Sequence, residues 1–215
     1  MLSDAQSICS VQLGLIAYRA GLEAQAAYAE RRLRGEIGDT LLLCEHPPVF
    51  TLGTNADPDH VLADDAELVQ RGIEVHRTDR GGEVTWHGPG QQVGYVIADL
   101  RRRGRDVHRF CRDLEEILLR TLDDFGLQGE REEGRTGAWI GRHKVGALGV
   151  RVRRWITTHG FCLNVDCDLS PYDRIIPCGI FDCGVTSMSR ALRRPIALEP
   201  VRARLCAHFA EVFGG

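Results

Sequence analysis

Apolar positions along the chain follow two rhythms. From Val107 they recur every three or four residues, with Val107, Phe110, Cys111, Leu114, Ile117, Leu118, Leu122 and Phe125 on one face. That period predicts an amphipathic helix, with Asp106 as its N-cap and Gly126 as its stop. The alanine-rich run AYRAGLEAQAAYAERRLRG predicts a second helix closed by Gly35. A third opens at Pro200 and sets Val201, Leu205, Phe209 and Val212 on one side. Between the helices the rhythm shortens. TLLLCEH and VFTLG read as strands separated by Pro47 and Pro48, and IEVHRTD and EVTWH flank a double glycine. QVGYVIADL and HGFCLNV are further strands. GAWIGRHKVGALGVRV reads as a strand pair turning near Arg142 and His143, so Lys144 starts the returning strand. Strands and helices do not alternate regularly. The pattern therefore predicts an α+β chain, a single domain over residues 1–215 with a mixed β-sheet packed by helices, rather than a doubly wound parallel sheet. There is no repeat, low-complexity stretch or linker.

Composition narrows the function classes. The chain has 215 residues, 43% of them hydrophobic, and a net charge of −3. No apolar run approaches membrane-spanning length, and MLSDAQSICS lacks the basic and apolar regions of a secretion signal. A cytoplasmic protein without nucleic-acid or membrane partners is expected. The charge is locally lopsided, with arginine runs at Arg101 to Arg105, Arg151 to Arg154 and Arg190 to Arg194. These are either solvated faces or docking surfaces for an acidic partner. Eight cysteines without a leader point to free thiols. Cys162/Cys167 and Cys178/Cys183 do form two Cys-x4-Cys pairs, a spacing that some zinc sites allow. However, Cys162 falls inside a strand and Cys183 trails a Pro-Cys-Gly turn, so neither pair reads as a metal knuckle.

One residue breaks the charge pattern. Of 27 basic side chains, 26 are arginine, and Lys144 is the only lysine. Arginine does not release a proton in a protein, whereas a lysine ammonium can become a neutral amine. Lys144 opens KVGALGVRV, whose Gly146, Ala147 and Gly149 are small residues of the kind that let a ligand approach a strand. RGGEVTWHGPGQ (Arg80 to Gln91) brackets a charge and an imidazole between two glycine clusters, and reads as a ligand loop. In RIIPCGI, Cys178 stands between proline and glycine, in a turn that would expose its sulfur and leave backbone N–H groups beside it.

These segments, with THGFCLNVDCDLSPYDRIIPCGI and GVTSM (Gly184 to Met188), resemble the lipoyl (octanoyl) transferases. The resemblance spans roughly Thr40 to Arg190 and keeps the family's order of motifs. It implies the fold of the biotin/lipoate protein ligases and of the class II aminoacyl-tRNA synthetase-like catalytic core. It implies transfer of an octanoyl group from octanoyl-acyl carrier protein, the first step of endogenous protein lipoylation. The implied acceptors are lipoyl domains of 2-oxoacid dehydrogenase E2 subunits and the glycine cleavage H protein. It implies a catalytic pair, Cys178 as nucleophile and Lys144 as its proton partner, with neither cofactor nor metal. The implied substrate contacts are Arg80, Gly81, Gly82, Glu83, Val84, Thr85, Trp86 and His87, then Ala147, Leu148 and Gly149, then Gly160, Phe161 and Cys162. His87 and His159 are expected to shape the pocket, and the Gly179 N–H to face the oxyanion. Cys162 stands where the family usually carries alanine, Thr158 where serine is common, and VGALG where IAAIG is more usual.

The alternative is an ATP-dependent lipoate or biotin-type ligase, which shares this fold and the glycine-rich loop. A ligase works through an acyl-adenylate and has no use for a nucleophilic cysteine. A cysteine thioesterase is the nearest mechanistic neighbour, separated by its release of free octanoate.

Overall fold

The computed structural model describes residues 8–176 and 184–214. The elements, in chain order, are β1 (Cys9–Leu15), α1 (Tyr18–Leu33), β2 (Thr40–Glu45), β3 (Val49–Leu52), α2 (Asp65–Arg71), β4 (Glu74–Arg77), β5 (Val84–His87) and β6 (Gln91–Ile97). There follow α3 (Val107–Asp124), β7 (Glu130–Glu132), β8 (Arg135–Ile140), β9 (His143–Arg153), β10 (Ile156–Asn164), β11 (Gly184–Val185), α4 (Met188–Leu192) and α5 (Leu198–Gly214). No helix among the described residues is long and apolar enough to cross a membrane.

The strands form two sheets rather than one. The large sheet has the order β1-β2-β6-β10-β9-β8-β7, with β11 joining β9, and the small one is β4-β3-β5. Most neighbours in the large sheet are antiparallel, but β1 runs parallel to β2 and β11 parallel to β9. The sheet is mixed, as the sequence pattern predicts.

Strand β2 shows why its sequence is apolar throughout. Side chains alternate across a strand, and this one is covered on both faces. Leu41 and Leu43 join the core under α3 and α5, with Phe110, Leu114, Leu118, Leu205 and Phe209. Leu42 and Cys44 turn the other way, toward Tyr95, Cys162 and the α1 residues Tyr28, Ala29 and Leu33. The small sheet closes a third cluster around Phe50, Trp86 and Ile175.

Helix α3 starts as its pattern predicts, with the Asp106 carboxylate accepting the Arg109 N–H at 2.9 Å. Helix α5 begins at Leu198 rather than at Pro200. Pro200 is tolerated there because first-turn N–H groups have no partner within the helix. Phe213 is the fully buried residue at its far end, while Val212 is only half-buried.

The pairing of β8 with β9 contains one irregularity with consequences. Ala138 pairs with Gly146 and Trp139 with Lys144, leaving Val145 as an extra residue on β9. Such a bulge re-aims the neighbouring side chains. Val145 joins the core beneath α3. Lys144 takes the face of its partner Trp139, opposite the one that Ala138 turns to the core.

Candidate active site

The glycine-rich loop is built around a buried arginine. The Arg80 guanidinium donates through Nη2 to the Thr51 carbonyl at 2.6 Å and to the Glu83 carbonyl at 2.8 Å, and through Nη1 to the Gly81 carbonyl at 3.1 Å. Its Nε adds a bond to Thr51 Oγ1 at 3.2 Å. The side chain thus braces its own loop against β3. The loop in turn lies on β9, where Gly81 N–H donates to the Val150 carbonyl at 2.9 Å. Gly149 permits this approach, since a Cβ there would lie 3.0 Å from both Arg80 Cδ and the Gly81 oxygen.

Between loop and sheet is a narrow cavity of about 60 Å³. Twelve of the fourteen substrate contacts expected from sequence line it; Gly81 and Trp86 do not. The Trp86 ring packs instead in the cluster around Phe50 and meets Tyr172 edge-on at 5.7 Å. The lining also takes in Tyr18, Val93, Tyr95 and His159. Period-two reading of QVGYVIADL pairs Val93 with Tyr95, but nothing in the local sequence marks Tyr18, the first residue of α1.

Three imidazoles pack at this site, each with a fixed proton. Gln91 Nε2 donates to the Trp86 carbonyl at 3.1 Å and to Asn164 Oδ1 at 2.8 Å, which leaves Gln91 Oε1 as an acceptor. His87 Nδ1–H therefore donates to it, at 2.6 Å. That leaves His87 Nε2 as the acceptor of a neutral ring. Burial, aided by the neighbouring His46, pushes the His87 pKa down to about 3. His46 Nδ1–H donates to the Ile16 carbonyl at 2.8 Å, and its Nε2 accepts from the Tyr95 hydroxyl at 2.6 Å. His159 Nε2–H donates to Asp79 at 2.8 Å. Burial lowers the pKa of both rings. The buried Cys162 thiol also faces the cavity.

Strand β9 leads from the cavity wall at Ala147 to Gly149 back to Lys144. There the strand is flanked on one side by Trp139 of β8 and on the other by Val185 of β11. The Lys144 ammonium lies 4.9 Å from the centre of the Trp139 ring. Room for its stem comes from Gly137, where a Cβ would sit 3.2 Å from Lys144 Cε and 2.6 Å from the Gly146 oxygen. The Gly137 N–H donates to the buried Glu115 of α3 at 3.0 Å, and Arg112 and Arg131 compensate that carboxylate.

A hydrogen-bond chain joins the two halves of the site. From His87 it runs through Gln91 to Asn164, whose Nδ2 donates to the Thr186 carbonyl at 3.0 Å. Thr186 N–H closes it on the Lys144 carbonyl at 3.0 Å. Cys178, Gly179 and Cys183 lie outside the described residues. The described chain before them ends with Ile176, whose N–H donates to the His60 carbonyl at 2.9 Å, and resumes with Gly184 paired to His143. No disulfide joins any two of the six described cysteines. Among the described residues, no group of three or more His, Cys, Asp or Glu side chains could hold a metal ion.

Residues 17–210 match the model of the lipoyl protein ligase A/B catalytic domain. An octanoyltransferase of Chloroflexus aurantiacus is 53% identical over 204 residues, covering 94% of this chain and 92% of its own. An octanoyltransferase of Alkaliphilus metalliredigens is 43% identical, with 94% of both chains covered. Among solved structures, a putative lipoate protein ligase from T. acidophilum with bound lipoic acid superposes with a TM-score of 0.75 at 16% identity, over 97% of this chain and 87% of that one. The biotin protein ligase of Aquifex aeolicus gives 0.56 at 9%, over 96% and 69%. At such identities these two structures establish the fold alone. The sequence relatives and the family model go further: the chain belongs to the lipoyl protein ligase A/B catalytic domain family, among its octanoyltransferases.

Proposed function

We propose that the protein moves an octanoyl group from octanoyl-acyl carrier protein to a lysine of a lipoyl domain, through a thioester on Cys178 with Lys144 as proton carrier. One juxtaposition carries this reading: the strand that walls the cavity with Ala147 to Gly149 also presents the chain's only lysine. The flanks of Cys178 support it. Ile176, two residues before, is bonded to His60, which lies 3.4 Å from the cavity residue Glu83. Val185, seven residues after, pairs with Lys144 itself.

The chemistry proceeds in two balanced steps. In the first, the Cys178 thiolate attacks the carrier thioester carbonyl, the C–S bond to the carrier breaks, and the Lys144 ammonium gives its proton to the departing thiolate. Exchanging one thioester for another costs little bond energy, and a nearby ammonium raises the fraction of reactive thiolate. In the second, the neutral amine of the acceptor lysine attacks the acyl-enzyme and neutral Lys144 takes the proton it sheds. The Cys178 thiolate then leaves, which restores both groups. Neutral imidazoles and apolar walls suit the cavity to an uncharged chain.

Of the arginine runs, Arg190 to Arg194 is the one we assign to the acidic carrier. It lies on and just after α4, close behind the β11 residues that pair with His143 and Lys144, and Arg190, Arg193 and Arg194 are exposed. In the Arg101 to Arg105 run, Arg101 and Arg103 are already paired with Asp99 and Asp39.

The test is mass spectrometry after mixing the protein with octanoyl-acyl carrier protein and no acceptor. A hydroxylamine-labile octanoyl adduct on Cys178, discharged by a lipoyl domain, is the expected result. Acylation of the domain only when ATP and free octanoate are supplied would make the protein a ligase instead.

A further inference from the structure

Between α1 and the hairpin end of β9 and β10 lies a groove of about 690 Å³. Of its described lining residues, only His159 also lines the narrow cavity. The floor is apolar, with Leu22, Ala26, Ala29 and Leu33 from one face of α1 and Ile156 from β10. The facing wall comes from the alternation of VRVRR along β9. Val150 and Val152 turn to the core beneath α3 and α5, so Arg151 and Arg153 turn to the α1 face, beside their partners Thr158 and Ile156. Arg154 and Trp155 then form the two-residue turn into β10. Both have positive φ, +52° and +66°, a turn geometry that usually takes Asn-Gly. The turn is held in place nonetheless. The Trp155 carbonyl accepts the Leu100 N–H at 2.8 Å, and the Arg105 guanidinium lies 5.7 Å from the centre of the Trp155 ring. Arg154 is therefore presented at the groove's end from a fixed turn, which lowers the entropic cost of using it.

The charges around this groove do not cancel. Asp79 is engaged by Arg151 and His159, and Glu30 by Arg34. Arg77, Arg153 and Arg154 also line the groove, and among the described residues none of the three has a carboxylate partner. The dimensions select what these cations can face. From Leu22 to Leu33 the floor follows eleven residues of helix, on the order of 16 Å. Over that length 690 Å³ gives a cross-section of about 40 Å², or roughly 6–7 Å across. A helix with its side chains is about 10–12 Å across and is too wide to sit there. A diacyl lipid brings paired chains and is too wide as well, whereas one aliphatic chain fits. We infer that the groove is a second binding site, for a free fatty acid, with its chain along the α1 floor and its carboxylate at Arg153 and Arg154. Those two stand at the hairpin end, beyond the Asp79–Arg151 pair, where no acid opposes the incoming anion. Burying the chain supplies the driving force, and the paired guanidinium groups offer charge-assisted bonds to the head. The site is separate from acyl transfer and does not depend on it.

The experiment is isothermal titration calorimetry with dodecanoate, kept below its micelle-forming concentration, on wild type and two variants. Arg153→Glu combined with Arg154→Asp reverses the charge at the hairpin end, and aspartate is chosen at 154 because it tolerates positive φ. Ala26→Trp fills the floor from an exposed position of α1. Wild type is expected to bind one dodecanoate. The charge reversal is expected to weaken binding about tenfold or more, as several exposed ion contacts are lost or inverted, and Ala26→Trp to abolish it. Dodecyltrimethylammonium, with the same chain and a positive head, is expected to bind at least about tenfold more weakly than dodecanoate. Absence of dodecanoate binding to wild type at about 1 mM overturns the site. Unchanged affinity in either folded variant does so too, because head and chain must both be held there, and so does equal affinity for the cationic amphiphile. Retention of the protein on phosphatidylglycerol vesicles that dodecanoate does not compete away would overturn the fatty-acid assignment in favour of a membrane contact.

Discussion

Lys144 and Trp139 face each other across β8 and β9, with the ammonium 4.9 Å from the centre of the indole ring. A ring face attracts any cation, by about 0.5–2 kcal/mol. Arginine at position 144 would keep that attraction and the charge, and lose only the transferable proton. Lys144→Arg therefore separates electrostatics from proton transfer. The variant is expected to remain folded and to slow discharge of the acyl-enzyme to a lipoyl domain by about 10²–10⁴-fold, the usual worth of general acid–base help. Single-turnover kinetics would measure it, and discharge at the wild-type rate would mean that charge alone suffices.

Arg80 tests the scaffold rather than the chemistry. Its guanidinium reaches Thr51, Gly81 and Glu83 at once, which a lysine ammonium at the end of a flexible stem does not reproduce. Each lost bond to a charged donor is worth about 1.5–3 kcal/mol when its partner stays buried. Arg80→Lys should lower the urea midpoint with its slope unchanged, and weaken the apparent KM for octanoyl-acyl carrier protein about tenfold as the loop loses its brace. A variant with wild-type stability and KM would show that the loop is held by its backbone bonds to Val150, Gly53, Thr54 and Asn55 without the guanidinium.

Gly149 carries the other half of that contact. A methyl group there would press on Arg80 Cδ and on the Gly81 oxygen, both at 3.0 Å, so the loop must withdraw from β9. Overpacking of this kind typically costs about 1–3 kcal/mol. Gly149→Ala should lower kcat/KM about tenfold or more in steady-state transfer assays. Gly149 has no positive φ, so the variant reads the clash without added backbone strain.

How far these features could be read from sequence depends on whether the signal is local. Helix α3 was legible because its apolar spacing, its Asp106 cap and its Gly126 stop lie within twenty-one consecutive positions. Strand β2 was legible because burial on both faces makes it uniformly apolar. Strand β1 was not: CSVQLGL is largely exposed and is held as a strand by parallel pairing with β2. Helix α2 is only seven residues long and lacks a fully buried face. The bulge at Val145 leaves no mark in composition, yet it decides which side of β9 Lys144 occupies. Tyr18 and His46 reach the site through tertiary packing, from segments with no glycine cluster or motif of their own. The glycine-rich loop and the KVGALG strand were legible because a close backbone approach requires small residues at fixed positions.

His87 gives a pH dependence whose sign follows from its setting. Its ring is fully buried and neutral, with a folded pKa of about 3 caused first by burial and then by His46. The unfolded chain binds a proton near the ordinary histidine value, about 6.5. Between those two values the unfolded state holds more protons than the folded one, so stability rises with pH across the window. The contribution is fully present above about pH 6.5 and is lost as pH falls toward 3. One such group contributes a slope of about 1.4 kcal/mol per pH unit within that window. His46 and His159 are also lowered by burial and add to the slope from its upper end. His87→Gln keeps an amide able to meet Gln91 but removes the titration. Urea unfolding at stepped pH should therefore show a shallower dependence in the variant by about one proton between pH 6 and 4. Parallel curves for the two proteins would mean that the folded protein lets His87 charge as freely as the unfolded chain does, and that burial beside His46 does not hold it neutral.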